Sequence, residues 1–191
     1  YGGDHCKKIN VSEKLIKKYS FINRSYAFSV CRIEPENHIE IIIKAFLHIN
    51  SMNLVIVGNW MNSKYGILLR LKYGNIKNIF LLDSIYDQNI LNQLRSNCDI
   101  YIHGHSAGGT NPSLVEAMYL GLAILCYDVN YNIETTKNSA LYFKTSEDII
   151  NTINETNRDK LNIISNRMKE IAKDDYTWEL ISQQYKLLFC K

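Results

Sequence analysis

A doubly wound α/β domain built on a parallel sheet is the fold class this sequence predicts, and three observations predict it. Short apolar, β-rich runs alternate with helical periodicity along nearly the whole chain. The run Asn53–Gly58 (NLVIVG) is apolar without period-2 alternation, as strands buried on both faces are. The later runs Asp99–His103 and Leu122–Cys126 are each separated from their neighbours by a helix-length segment. Strands joined through helices must run parallel and be covered on both faces, with right-handed crossovers.

Each element has a local reason. Tyr26–Cys31 is a short strand, and Pro35 precedes the amphipathic helix His38–Ile49. After the NLVIVG strand come a helix near Ser63–Tyr73 and a strand at Asn78–Leu82, then a helix over Gln88–Asn97. Asn111 is a preferred N-cap and Pro112 a preferred first residue, so a helix starts there and runs to Leu120. Ala140–Phe143 is a last short strand, followed by helices near Glu147–Thr156, Arg158–Lys173 and Thr177–Phe189.

At 191 residues the chain is long enough for one sizeable domain, and its 46% hydrophobic and 21% charged content is that of a globular protein with a real core. The formal net charge of +3 is too mild to argue for nucleic acid. Lys7, Lys8, Lys14, Lys17 and Lys18 form the only dense basic group; it reads as a solvated helix face, with attraction to anionic lipid headgroups as the sharper alternative. The five cysteines have no CxxC spacing, and Cys31, Cys98 and Cys126 sit in or beside apolar runs. They read as core thiols in a reduced, cytoplasmic setting. No run of about 20 apolar residues is present to span a bilayer. Residues 1–20 read as a linker or the remnant of a preceding domain.

Ligands of such sheets bind outside the carboxyl ends of the strands, where the strand order reverses. The segment Tyr101–Met118, YIHGHSAGGTNPSLVEAM, has the most chemistry there. A strand ends near His103, a glycine-containing loop follows, and a helix opens at Asn111-Pro112. The exposed N–H groups of that first turn and the positive end of the helix dipole form an anion site. Gly108 and Gly109 let a charged group approach the backbone, and a diphosphate is the natural guest. Two rival readings fail: Thr110-Asn111 replaces the Lys-[ST] of a Walker A loop, and no GxGxxG follows the first strand. A glycine loop that only turns a corner is the structural alternative.

Glu116 lies one turn inside the helix, on the face of Pro112 and Ser113, and its carboxylate can accept two hydrogen bonds from a vicinal diol such as ribose. Among apolar neighbours such a carboxylate needs partners. Arg32, at the carboxyl end of the first strand, can offer a bidentate fork to phosphate, or be held by Glu34 or Glu36 in an ordinary salt bridge.

Together these pieces resemble the C-terminal domain of GT-B-fold glycosyltransferases, in particular retaining enzymes of glycosyltransferase family 4. The carriers are Arg32 with the PEN segment after it, LVIVG, GGTNPSLVEAM and the closing DYTWELISQQYKLLF. The HGH and GGTNPS version looks like bacterial rhamnosyl- and hexosaminyltransferases of surface polysaccharide assembly, including O-antigen and capsule synthesis. The resemblance implies that residues 21–175 bind a nucleotide sugar and that 176–191 form a helix packing toward an acceptor-binding domain not contained in this chain.

By that resemblance Arg32 binds the donor diphosphate together with Gly109, Thr110, Asn111 and Ser113. Glu116 binds the ribose, and Arg32 and Glu116 are the two catalytic candidates. Leu82, Ser84, Ile85 and Tyr86 fall where relatives cradle the base. His103, His105, Asn37 and Gly108 are candidate sugar or phosphate contacts, with packing an equal alternative for His103. The chain departs from the family twice: Asn37 stands where a lysine is usual, and Gly108 where the first glutamate of E-x7-E is usual.

There is no DxD motif, and His103 and His105 lack a third ligand, so no metal or other cofactor is expected. The co-substrate is a nucleotide sugar, with a UDP sugar as first expectation and dTDP-rhamnose as alternative. The partners are that donor and a glycan or lipid-linked acceptor, with peripheral membrane association open. The chain alone is expected to bind nucleoside diphosphates without transferring sugar. A sugar-nucleotide epimerase, a glycan phosphorylase and a non-catalytic nucleotide-binding module are the competing classes.

Overall fold

A computed structural model describes residues Tyr1–Phe189. Six strands form one parallel sheet in the order β3-β2-β1-β4-β5-β6. They are β1 Tyr26–Val30, β2 Asn53–Val57, β3 Ile79–Leu82, β4 Ile100–His103, β5 Ile124–Tyr127 and β6 Leu141–Phe143. Each pairing is parallel, with Phe28 beside both Val55 and Tyr101, and His103 beside Cys126. The order reverses between β1 and β4, so the loops after these two strands flank the switch point of the sheet.

Every residue of β2 and β4 is buried. Successive side chains of a strand point to opposite faces, so both faces of the sheet are covered. The helices that cover it are α1 Glu13–Lys18, α2 Ile39–Phe46, α3 Lys64–Tyr73, α4 Gln88–Ser96, α5 Pro112–Tyr119, α6 Asn130–Thr135, α7 Ser146–Glu155, α8 Arg158–Asp175 and α9 Trp178–Phe189. Among them α2 packs on α7 and α5 on α8. Several are capped as their sequences require: Ser63 accepts from the Gly66 amide, Asp87 from Asn89 and Ile90, Asn157 from Lys160, and Thr145 with Asp148 closes a capping box.

The expected strands and helices are present, with ends moved by one to three residues. Three features differ from expectation. Helix α6 lies in a stretch, NYNIET, whose buried members are Asn132 and Thr135; the absence of apolar periodicity hid it. Lys7 and Lys8 precede α1, so the basic group does not share one helix face. Residues 1–12 are packed on the domain: the Gly3 amide donates to the Tyr176 carbonyl, the Ile9 carbonyl accepts from Ser96 and Asn97, and the Ser12 amide donates to Gln93. A Cβ on Gly2 would stand 2.3 Å from the Trp178 amide nitrogen, which leaves room there for glycine alone.

Cys126 is buried, Cys31 and Cys98 are partly buried against the core, and Cys6, which sequence reasoning left out of the core, is buried as well. All four are free thiols, and Cys190 lies outside the described residues. No helix among the described residues is long and apolar enough to cross a membrane. Helix α9 buries none of its residues and exposes Tyr185, Leu187, Leu188 and Phe189.

Candidate functional site

At the switch point, the loop after β1 and the loop after β4 enclose a cavity of about 260 Å³. Its wall contains Arg32 and Asn37 from the first loop, His103 and His105 from the second, and Asn111, Pro112 and Ser113 at the start of α5. Seven of the residues singled out above therefore meet, or stand beside a neighbour that does, in one place that the sequence separates by some eighty positions.

The two loops are stitched together by polar side chains. Asn37, 4% exposed, donates from Nδ2 to the Arg32 carbonyl at 2.8 Å, and its Oδ1 stands 2.9 Å from His105 Nδ1. His38 takes a left-handed backbone (φ 48°), stacks on Tyr127 at 3.8 Å and reaches Ser106 Oγ at 2.9 Å. The Ser106 amide donates to the Glu36 carbonyl, and Asn132 ties the His105 carbonyl to that of Tyr127. A Cβ on Gly104 would fall 2.0 Å from the Asn37 carbonyl oxygen, so the close approach of the loops needs glycine there. Asn37, expected as a ligand contact, is thus a brace, with both ends of its amide engaged by the protein.

The donors of the anion site are displaced from where the helix start suggested. The Ser113 amide is taken by Asn111 Oδ1 at 3.0 Å, and the Leu114 and Val115 amides donate to the Asn111 carbonyl. The amides of Gly108, Gly109, Thr110 and Asn111 have no protein acceptor among the described residues. Gly108 has φ +83°, and a Cβ at Gly108 or Gly109 would meet nothing within 4 Å. The free donors belong to the loop before the helix, in open space.

Arg32 extends over this cavity with 78% of its side chain exposed, and Glu36 Oε1 is 4.0 Å away, at the edge of ion-pair range. An exposed pair at that distance leaves the guanidinium fork free. His103 is buried, its Nε2 has no hydrogen-bond partner, and burial followed by the field of His105 lowers its pKa to about 3. It is a neutral ring with an unused nitrogen in the cavity wall.

A second cavity of about 330 Å³ adjoins the first across Val30, Cys31 and Arg32. Ser84 and Tyr86 line it with Asn59 and Asn62. Of the four positions expected at the base, Leu82 instead uses its carbonyl to accept from the Trp60 indole and the Gly58 amide, and Ile85 packs against the core.

Glu116 needs a correction. Its burial does not call for an outside ligand, because the protein supplies the partners: Arg95 Nη1 at 2.5 Å from Oε2, and the Tyr1 hydroxyl at 2.7 Å and His5 Nε2 at 3.4 Å from Oε1. Burial pushes the Glu116 pKa up, and the Arg95 charge and these hydrogen bonds more than offset it, so the net shift is downward. Arg95, fully buried on α4, is the residue that sequence reading missed. His5, Cys6 and Glu116 also present ligand-type atoms within 4.8 Å of one another, but Arg95 touches both Cys6 and Glu116 and already supplies positive charge there.

Residues 11–175 match the family described as Glycosyl transferases group 1, which is well over half of the chain. The chain belongs to the group 1 glycosyl transferases. No curated protein matches at a significant level of sequence similarity. Solved structures match in fold: this glycosyl transferase domain superposes on Alr3699/HepE of Anabaena, solved in complex with UDP, with a TM-score of 0.80 and 20% identity over 95% of this chain and 54% of that one. Sucrose-phosphate synthase of Thermosynechococcus elongatus gives 0.76 and 16% over 95% and 49%. The pneumococcal O-GlcNAc transferase GtfA, in complex with UDP and GlcNAc, gives 0.65 and 17% over 95% and 37%. At these identities the likeness is one of fold, and the chain spans about half the length of the first two structures.

Proposed function

We propose that this glycosyl transferase domain binds a nucleoside-diphosphate sugar, with the diphosphate between the Arg32 guanidinium and the amides of Gly108–Asn111. The observation that supports it most is that a free arginine fork shares one cavity wall with Asn111, the last residue of a run of unsatisfied backbone donors. Fixed donors aimed at a leaving diphosphate stabilise its growing charge without reorganising at the moment of reaction. In this reading that is the catalytic device, Arg32 and the loop do the work a metal does elsewhere, and Asn111 and Ser113 set the end of the helix against the phosphates.

The base occupies the adjoining cavity beside Ser84 and Tyr86, and the ribose reaches Glu116. His103 Nε2, neutral and unpaired, hydrogen-bonds a sugar hydroxyl or a phosphate oxygen, with His105 next to it; Gly108 leaves space where the family's first glutamate would reach the sugar. A UDP sugar is the preferred donor, since two of the similar structures hold UDP, and dTDP-rhamnose is the alternative. The whole protein transfers a hexose or N-acetylhexosamine, with retention, to a glycan or lipid-linked acceptor in surface polysaccharide synthesis. The acceptor lies on another domain, against which the exposed apolar side of α9 packs.

Calorimetric titration of the chain with UDP, dTDP, GDP and ADP tests this. A ligand at about 100 times its dissociation constant stabilises by roughly 2.7 kcal/mol, which a melting experiment detects. Binding of UDP that Arg32→Ala weakens by roughly 10-fold or more is the expected result. No binding of any of the four, or binding indifferent to Arg32, contradicts the proposal.

A further inference from the structure

Arg95 is fully buried, and its guanidinium joins α5, its own helix α4 and the N-terminal segment. Nη1 donates to Glu116 Oε2 at 2.5 Å, while Nη2 reaches Asn92 Oδ1 at 2.9 Å and Cys6 Sγ at 3.5 Å; Nε has no partner. A carboxylate offers about four acceptor positions. Arg95 holds one oxygen of Glu116, and the other, Oε1, receives the Tyr1 hydroxyl at 2.7 Å and faces the half-exposed His5 ring. A buried ion pair is weak evidence for stability, because an apolar pair of similar volume serves as well or better. Keeping the charges makes sense where one carboxylate oxygen must be fixed so that the other points in a set direction.

Resting on the ribose contact proposed above, we propose that Arg95 is a positioning residue: it locks Glu116 so that Oε1 presents acceptor sites to a ribose hydroxyl, and the Tyr1 hydroxyl occupies the place of that hydroxyl in the unliganded domain. The donor on Oε1 is already an alcohol-type O–H, the same chemistry a ribose 2′- or 3′-hydroxyl offers. Asn92, one turn before Arg95 on α4, holds the far side of the guanidinium and takes part in the same alignment.

The test compares UDP with 2′-deoxyuridine diphosphate by calorimetry on the wild type, Arg95→Lys, Asn92→Ala, Glu116→Gln and Tyr1→Phe, with a thermal melt on each. A hydrogen bond to a charged group gives the wild type a preference for UDP of roughly 10-fold or more. Arg95→Lys should cut that preference to about 3-fold while deoxy-nucleotide affinity stays level, since an ammonium cannot hold the carboxylate as a planar fork does. Asn92→Ala should cut it less, and it keeps the test open should Arg95→Lys not fold. Tyr1→Phe should tighten UDP by removing the competing hydroxyl. A preference unchanged in both Arg95→Lys and Asn92→Ala, or affinity lost in parallel for both nucleotides in folded protein, overturns the proposal. If Glu116→Gln removes the preference and the other two do not, the ribose contact stands and the positioning role falls. If Glu116→Gln also leaves it intact, the ribose contact itself is wrong, and a wild type that binds no UDP sinks the diphosphate reading beneath both.

Discussion

The loop that leads into α5 and the second turn of that helix are in opposite states. Before the helix, the amides of Gly108–Asn111 have no protein acceptor among the described residues, and Arg32, largely exposed, shares a cavity wall with Asn111. One turn on, Glu116 is enclosed by Arg95, Tyr1 and His5, with both carboxylate oxygens engaged. A single short helix thus joins an unsatisfied electropositive corner to a satisfied ionic knot. Burial of a charge and readiness to bind are thus separate properties. The corner offers donors without paying for their desolvation, whereas the knot gives rigidity and holds its groups in one geometry.

The largest effect is expected from unbalancing the knot. Arg95→Met leaves the Glu116 carboxylate without its buried partner and should cost about 3–5 kcal/mol of stability in a denaturant titration. Adding Glu116→Leu to it should restore most of that loss, because both charges are then gone. The open corner should respond the other way. Arg32→Ala should change stability by less than about 0.5 kcal/mol, as exposed substitutions do, yet weaken nucleoside-diphosphate binding by roughly 10-fold or more, one charge-assisted bond being worth about 1.5–3 kcal/mol.

Smaller effects sharpen the picture of the brace between the two loops. Gly104→Ala forces a Cβ toward the Asn37 carbonyl and should cost about 1–3 kcal/mol, seen as a lower melting temperature with weaker ligand binding. His103 bears on pH. Its folded pKa, near 3, lies below the unfolded value of about 6.5, so the unfolded chain binds the extra proton across that window. Stability should therefore fall as pH drops from about 6.5 toward 3. Glu116, whose pKa is lowered on folding, loses its contribution at the acid end of the same range. His103→Gln should flatten the upper part of the profile, from about pH 6.5 to 5, and leave the Glu116 part intact.

The alternation of strands and helices was readable because apolar residues follow the periods that burial imposes, as in NLVIV of β2 and the capped start of α5. The meeting of Arg32 with Asn111 and Ser113 was readable too, since strand ends of a parallel sheet share one edge. What escaped were polar residues in buried places. Arg95 follows Leu94 in a helix where a charge ordinarily faces water, and nothing local says that it turns inward to meet Glu116. Asn37 and Asn132 serve as braces through long-range hydrogen bonds, and no periodicity marks such partners. The packing of residues 1–12 rests on Cys6 and on backbone bonds, which composition does not reveal.

In the proposed reading the phosphates lie against the loop that precedes α5. Amide-resolved NMR of the chain during titration with UDP tests it most directly. Saturable shifts are expected at Gly108, Gly109 and Thr110, with the Arg32 side-chain resonance moving in step. Saturable binding that leaves those amides still, with the largest shifts elsewhere in the domain, would contradict it.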